Sequence, residues 1–165
     1  MSSWRSAGRA TLLAAAVAVA GAGCARGGVA FSDPRPARLS VRDLARLRWI
    51  EGDWVGTGVN QSAFHERYRF ENDSTLLVES FDDSTRARVT ETARFALRGG
   101  RLGPGPSTAA THLGRRSVTF GPQVPGRNWY AWIQRTPDEW TAELWWPPTP
   151  TRPERRATYR MLRIR

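Results

Sequence analysis

The chain has no lysine. All 25 basic residues are arginine, set against 15 acids, for a formal net charge of +10 over 165 residues. Arginines are spread along the whole length instead of forming a block, so the charge reads as a solvated basic surface and not as a nucleic-acid footprint. A single cysteine, Cys24, excludes an intramolecular disulfide. Only two histidines occur, His65 and His112. His65 directly precedes Glu66 in a strand-like stretch, where neighbours point to opposite faces, so the two are not co-ligands of one metal. No metal site, catalytic residue or cofactor is expected. Apolar runs are also short: the longest, residues 10–20, falls below the roughly 20 residues that a membrane-spanning helix needs.

That run nevertheless has a clear pattern. Arg5 and Arg9 precede it, and small residues follow up to Cys24, the layout of an export signal over residues 1–23. Cysteine after "GAG" resembles the lipobox of bacterial lipoproteins, in which the cysteine carries the lipid and begins the mature chain. Gly21 stands where that motif usually has leucine, which keeps cleavage without lipidation open. The resemblance implies lipidation at Cys24, a membrane anchor and a place in the cell envelope on its periplasmic or extracellular side.

Residues 24–38 are rich in Gly, Pro and charge without apolar periodicity and read as a flexible tether. Ser40 followed by Asp43 predicts a capping box, and Val41, Leu44, Ala45 and Leu47 predict one apolar face of a short helix ending near Gly52. After Asp53 the chain alternates strand-like runs with turn residues, predicting strands near 53–60, 63–71, 74–82, 86–98, 107–113, 115–121, 127–135, 139–146 and 156–164. The stretch "RGGRLGPG" reads as a turn. Sequential strands without a crossover helix predict an all-β, antiparallel up-and-down barrel of about 8–10 strands over residues 39–165.

The stretch "WIEGDWVGTG" bears on which barrel. A short helix leading into Gly52-Asp53-Trp54 resembles the calycin pattern that includes lipocalins. Gly52, Trp54, Gly56 and Gly58 are similar to the G-x-W-x-G-x-G start of nitrobindin-like and other bacterial lipocalin-like domains. A nitrobindin-like protein would hold haem through a histidine in the last strand, and "RRATYRMLRIR" has none. What the resemblance implies is therefore a lipocalin-like barrel without haem. Physically, Trp54 is large enough to plug a barrel end and its indole N–H needs one acceptor there.

Alternation assigns candidate interior residues. Phe64, Glu66, Tyr68 and Phe70 share a face, as do Val89, Glu91, Ala93 and Phe95. Glu79 falls with Thr75, Leu77 and Phe81. Arg135 alternates with Trp129, Ala131 and Ile133, and Arg163 with Tyr159 and Met161. Three inward carboxylates need partners. Two readings follow: ion pairs closing one barrel end, or a site in which Trp54, Glu66, Tyr68, Glu79, Glu91, Arg135 and Tyr159 line a cavity. Five of the eight tryptophans lie near the C-terminal hairpin: Trp129 and Trp140 fill its core face with Ile133, Ala142 and Leu144, and Tyr130, Trp132 and Trp145 are placed on the other, outer face. The expected function is non-catalytic binding of a small hydrophobic or amphipathic molecule. The alternative is a cell-envelope interaction module whose barrel is filled by side chains.

Overall fold

The structure is a computed structural model that describes residues 34–165; the export signal and Cys24 lie outside the described residues. Ser40 caps helix α1 (Val41–Leu44), with the Asp43 carboxylate and the Ser40 hydroxyl completing the capping box. A 3-10 helix (Ala45–Ile50) continues it. Leu44, Leu47 and Ile50 are all buried, a spacing of three that suits three residues per turn. Val41, expected on the buried face, is instead exposed at the first residue of the helix.

Ten strands follow: β1 (Gly52–Gly58), β2 (Gln61–Asn72), β3 (Thr75–Phe81), β4 (Val89–Arg98), β5 (Arg101–Gly103), β6 (Thr108–Leu113), β7 (Ser117–Pro122), β8 (Trp129–Thr136), β9 (Glu139–Trp146) and β10 (Arg155–Arg163). They form one antiparallel sheet in the order β5-β4-β3-β2-β1-β10-β9-β8-β7-β6. Pairing of β1 with β10 curls the meander into a nearly closed barrel. The short strand β5 lies in a stretch that reads as a turn in the sequence; the Gly99-Gly100 hairpin, with φ of 57° and 81°, supplies it.

The barrel's seam runs between β5 and β6, and the isolated bridge from Gly105 to Thr108 lies in the turn that links them. The chain before α1 supports it. Ala37 N–H donates to the Ala110 carbonyl and Leu39 N–H to the Gly100 carbonyl, each at 2.8 Å, while Gln123 Nε2 reaches the Pro34 carbonyl at 2.6 Å. The last residues of the expected tether, 34–38, thus run along the barrel wall.

The helical segment closes the end where β1 begins. Trp54 Nε1 donates to the Ile50 carbonyl at 2.7 Å, meeting the need of a buried indole N–H. Above the Trp54 ring, 4.2 Å from its centroid, lies the Arg163 guanidinium. Arg163 donates to the carbonyls of Glu51 (2.7 Å), Trp49 (3.1 Å) and Pro137 (3.3 Å) and pairs with Asp138 at 3.4 Å. Gly52 has φ +132°, and a Cβ there would lie on that guanidinium. Only glycine fits the corner.

Aromatic rings fill the barrel behind this plug. Tyr68, Phe95, Phe120, Trp132 and Trp140 are fully buried, with ring centroids 4.8–6.1 Å apart in edge-to-face contacts. The faces of β8 are therefore the reverse of the sequence reading: Tyr130 and Trp132 point inward, whereas Trp129 lies outside against Trp145 at 6.2 Å. Both faces of β8 are apolar, so alternation alone does not choose between them.

Candidate functional site

Register places one inward row across five strands. Arg163 pairs with Trp54, Trp54 with Glu66, Glu66 with Ser80 and Ser80 with Glu91. Residues directly opposite in a ladder share a face, so the two acids and Ser80 face the interior together. Glu66 is only 2% exposed. Its Oε2 accepts from the Tyr68 hydroxyl at 2.7 Å, and Oε1 from the Ser80 hydroxyl at a long 3.5 Å. No cation pairs with it among the described residues. Glu91, two strands away, is half-buried.

Burial without a counter-charge penalises the ionised form. It pushes the Glu66 carboxyl from its ordinary 4.5 up to about 7, with Glu91 adding to the rise and the two hydroxyl donors opposing it. Burial likewise raises the Tyr68 phenol well above its usual value, and the nearby Glu66 carboxylate adds to this. Near neutral pH the pair thus holds an acid that changes charge and a phenol that stays protonated to donate to it.

Beyond this pair the half of the barrel away from the plug is less tightly covered. Phe64 and Tyr159 meet edge to face at 5.7 Å. They lie across β1 because Gly56 and Gly58 leave room: a Cβ at Gly56 would overlap the Phe64 ring, and one at Gly58 would come within 2.7 Å of Tyr159. Phe64, Glu91, Ala93, Trp146 and Ala157 are partly exposed and face inward. Arg155 stacks on Trp146 at 4.3 Å, opposite it in the β9–β10 ladder. Deeper in, Trp132 and Trp140 carry buried indole N–H groups without an acceptor among the described residues.

Of the expected site residues, the structure brings Glu66, Tyr68, Glu91 and Tyr159 to the interior. Trp54 belongs to the closed-end plug. Glu79 is a correction. It pairs in register with Arg67 and Thr92 on the outer face and meets Arg69 at 3.3 Å. Leu76, Leu77 and Val78 are all buried, so β3 has no polar face to reveal its orientation. Arg135 is a second correction: it lies outside, bonded to Glu143 at 2.9 Å and Thr141 at 3.1 Å. Neither arginine proposed to balance the inward acids does so, since Arg163 is committed to the plug. Sequence reasoning missed Ser80, yet a signal was present. Centring the β2–β3 hairpin on Asp73 in "ENDS" sets Glu66 opposite Ser80.

Among the described residues no group of three His, Cys, Asp or Glu side chains could hold a metal ion. No family model matches the chain, and no curated protein does either. Two solved structures are similar to it. EF1p2_mFAP2b bound to DFHBI has 9% identity and a TM-score of 0.37, with 76% of this chain and 100% of that one covered. A redesigned beta barrel has 13% identity and a TM-score of 0.33, with 75% and 96% covered.

Proposed function

We propose that this protein is a non-catalytic binder of a small amphipathic molecule, taken in at the barrel half away from the plug with its polar head donating to Glu66. One observation carries the reading: a buried carboxyl, one inward position deeper than the partly exposed Phe64, has two hydroxyl donors and no cation among the described residues. Removing a carboxylate from water without a counter-charge costs several kcal/mol, on the order of 3 here from the displaced titration, unless a partner arrives. A protonated amine supplies that partner. Its apolar tail would lie between Phe64, Tyr159, Ala157 and Trp146. Because the acid ionises near pH 7, the site takes a cationic head better on the alkaline side of neutrality.

The same reading places the barrel in the cell envelope, exported and anchored through a lipid on Cys24. The supporting features are the basic start, the apolar run and the small residues before that cysteine. Incorporation of a labelled fatty acid that disappears in Cys24→Ser tests the anchor; retention of the label in the variant overturns it.

The binding itself is tested on the full chain with three probes of one tail length: dodecylamine, dodecanol and dodecanoate. At pH 8, the amine should bind most tightly in the mouth, and Glu66→Gln should abolish that preference. Equal affinity for amine and alcohol, or an amine preference that survives Glu66→Gln, would sink the reading.

A further inference from the structure

A recess outside the barrel answers to a different chemistry. It occupies about 540 Å³ beside the seam, and Arg94, Ala96, Arg98, Arg101, Pro104 and Pro106 are among its lining residues. That volume lies within the roughly 300–1,000 Å³ of small-molecule sites. The groove is separate from the interior Glu66 site.

The arginines that line it are of two kinds. On much of the outer wall an arginine sits on an acid: Arg67 on Asp53, Arg69 on Glu79, Arg135 on Glu143 and Arg160 on Glu139. Within the groove Arg94 follows the same rule and grips Glu71 with two bonds of 2.9 and 3.1 Å. Arg98 and Arg101 break it. They stand directly opposite each other in the β4–β5 ladder, an arrangement of like charges that repels. Arg98 has no carboxylate partner among the described residues, and Arg101 reaches only the neutral Gln123 amide oxygen at 3.3 Å. An oxyanion between the two guanidiniums would relieve the repulsion with charge-assisted bonds. Pro104 and Pro106 have no backbone N–H to offer, and Ala96 has no polar side-chain atom. The groove therefore joins a cationic head site to an apolar wall.

We propose that the seam groove binds a free amphipathic anion, its carboxylate between Arg98 and Arg101 and its apolar tail along Ala96, Pro104 and Pro106. The test compares binding of dodecanoate, dodecanol and inorganic phosphate to the full chain and to the Arg98→Gln/Arg101→Gln double variant. Dodecanoate should bind more tightly than either control. It should lose about tenfold or more of its affinity in the double variant, and keep its affinity in Glu66→Gln. Salt should weaken it, since the head site is exposed. Circular dichroism checks that the double variant folds; if it does not, Arg98→Gln alone should lose several-fold. Unchanged dodecanoate affinity in the folded variant overturns the proposal. So does a loss confined to Glu66→Gln, or binding to anionic vesicles without binding of free dodecanoate.

Discussion

Two neighbouring stretches of one inward row handle buried polarity in opposite ways. At the closed end Trp54 and Arg163 are satisfied within the protein: one indole N–H has one carbonyl, and one guanidinium has three carbonyls and Asp138. One strand over, Glu66 is just as deeply buried and has only two hydroxyls among the described residues. The first arrangement holds a fold together. The second leaves a carboxyl that keeps its proton until near pH 7, and the proposed function rests on it. The difference is one of partners, since both lie in the same ladder row.

Four changes would break or sharpen that contrast. Trp54→Ala should cost the most, about 3–5 kcal/mol, because it empties the plug and frees Arg163 from its stack; chemical denaturation reads it. Glu66→Gln should come next, with the opposite sign at alkaline pH. In the native chain the carboxyl titrates near 7, against 4.5 in the ordinary state. The folded state therefore holds its proton longer, and stability falls as pH rises from about 4.5 through 7 and is level beyond. The drop is of the order of 3 kcal/mol. Glutamine should remove it, so that melts of the variant at pH 5 and pH 8 agree with respect to this group while those of the native chain diverge.

Gly56→Ala should cost an intermediate amount, about 1–3 kcal/mol, because its methyl must displace the Phe64 ring. Near-ultraviolet circular dichroism should register the ring's movement. Arg135→Ala should cost least, under about 0.5 kcal/mol, as an exposed pairing with Glu143. A large loss there would mean that Arg135 turns inward after all.

How far the sequence foretold this depends on the strand. Helix cap, plug tryptophan, strand sequence and barrel closure were all legible, because Ser40, Trp54 and the turn residues act locally. The inward faces of β2 and β4 were legible as well, since Glu66 and Glu91 interrupt otherwise apolar faces flanked by arginine-bearing ones. β3 and β8 were not. Leu76-Leu77-Val78 and Trp129-Tyr130-Ala131-Trp132 are buried on both sides, the outer side by neighbouring side chains, so period-two alternation carries no sign there. Only pairing register decides, and register comes from the hairpins. Glu79 and Arg135 were misplaced for that reason. β5 escaped notice because three residues between glycine-rich turns form a strand only when a neighbour holds them.

The central claim is that Glu66 is a buried interior carboxyl, without a cationic partner among the described residues, that takes a cationic head. Calorimetric titration of the full chain with dodecylamine at pH 6 and pH 8 tests it most directly. With ionisation centred near 7, the ionised fraction rises roughly tenfold between those values, and affinity should rise with it. In Glu66→Gln the rise should vanish. Equal affinity at the two pH values, or the same rise in the variant, would contradict the account.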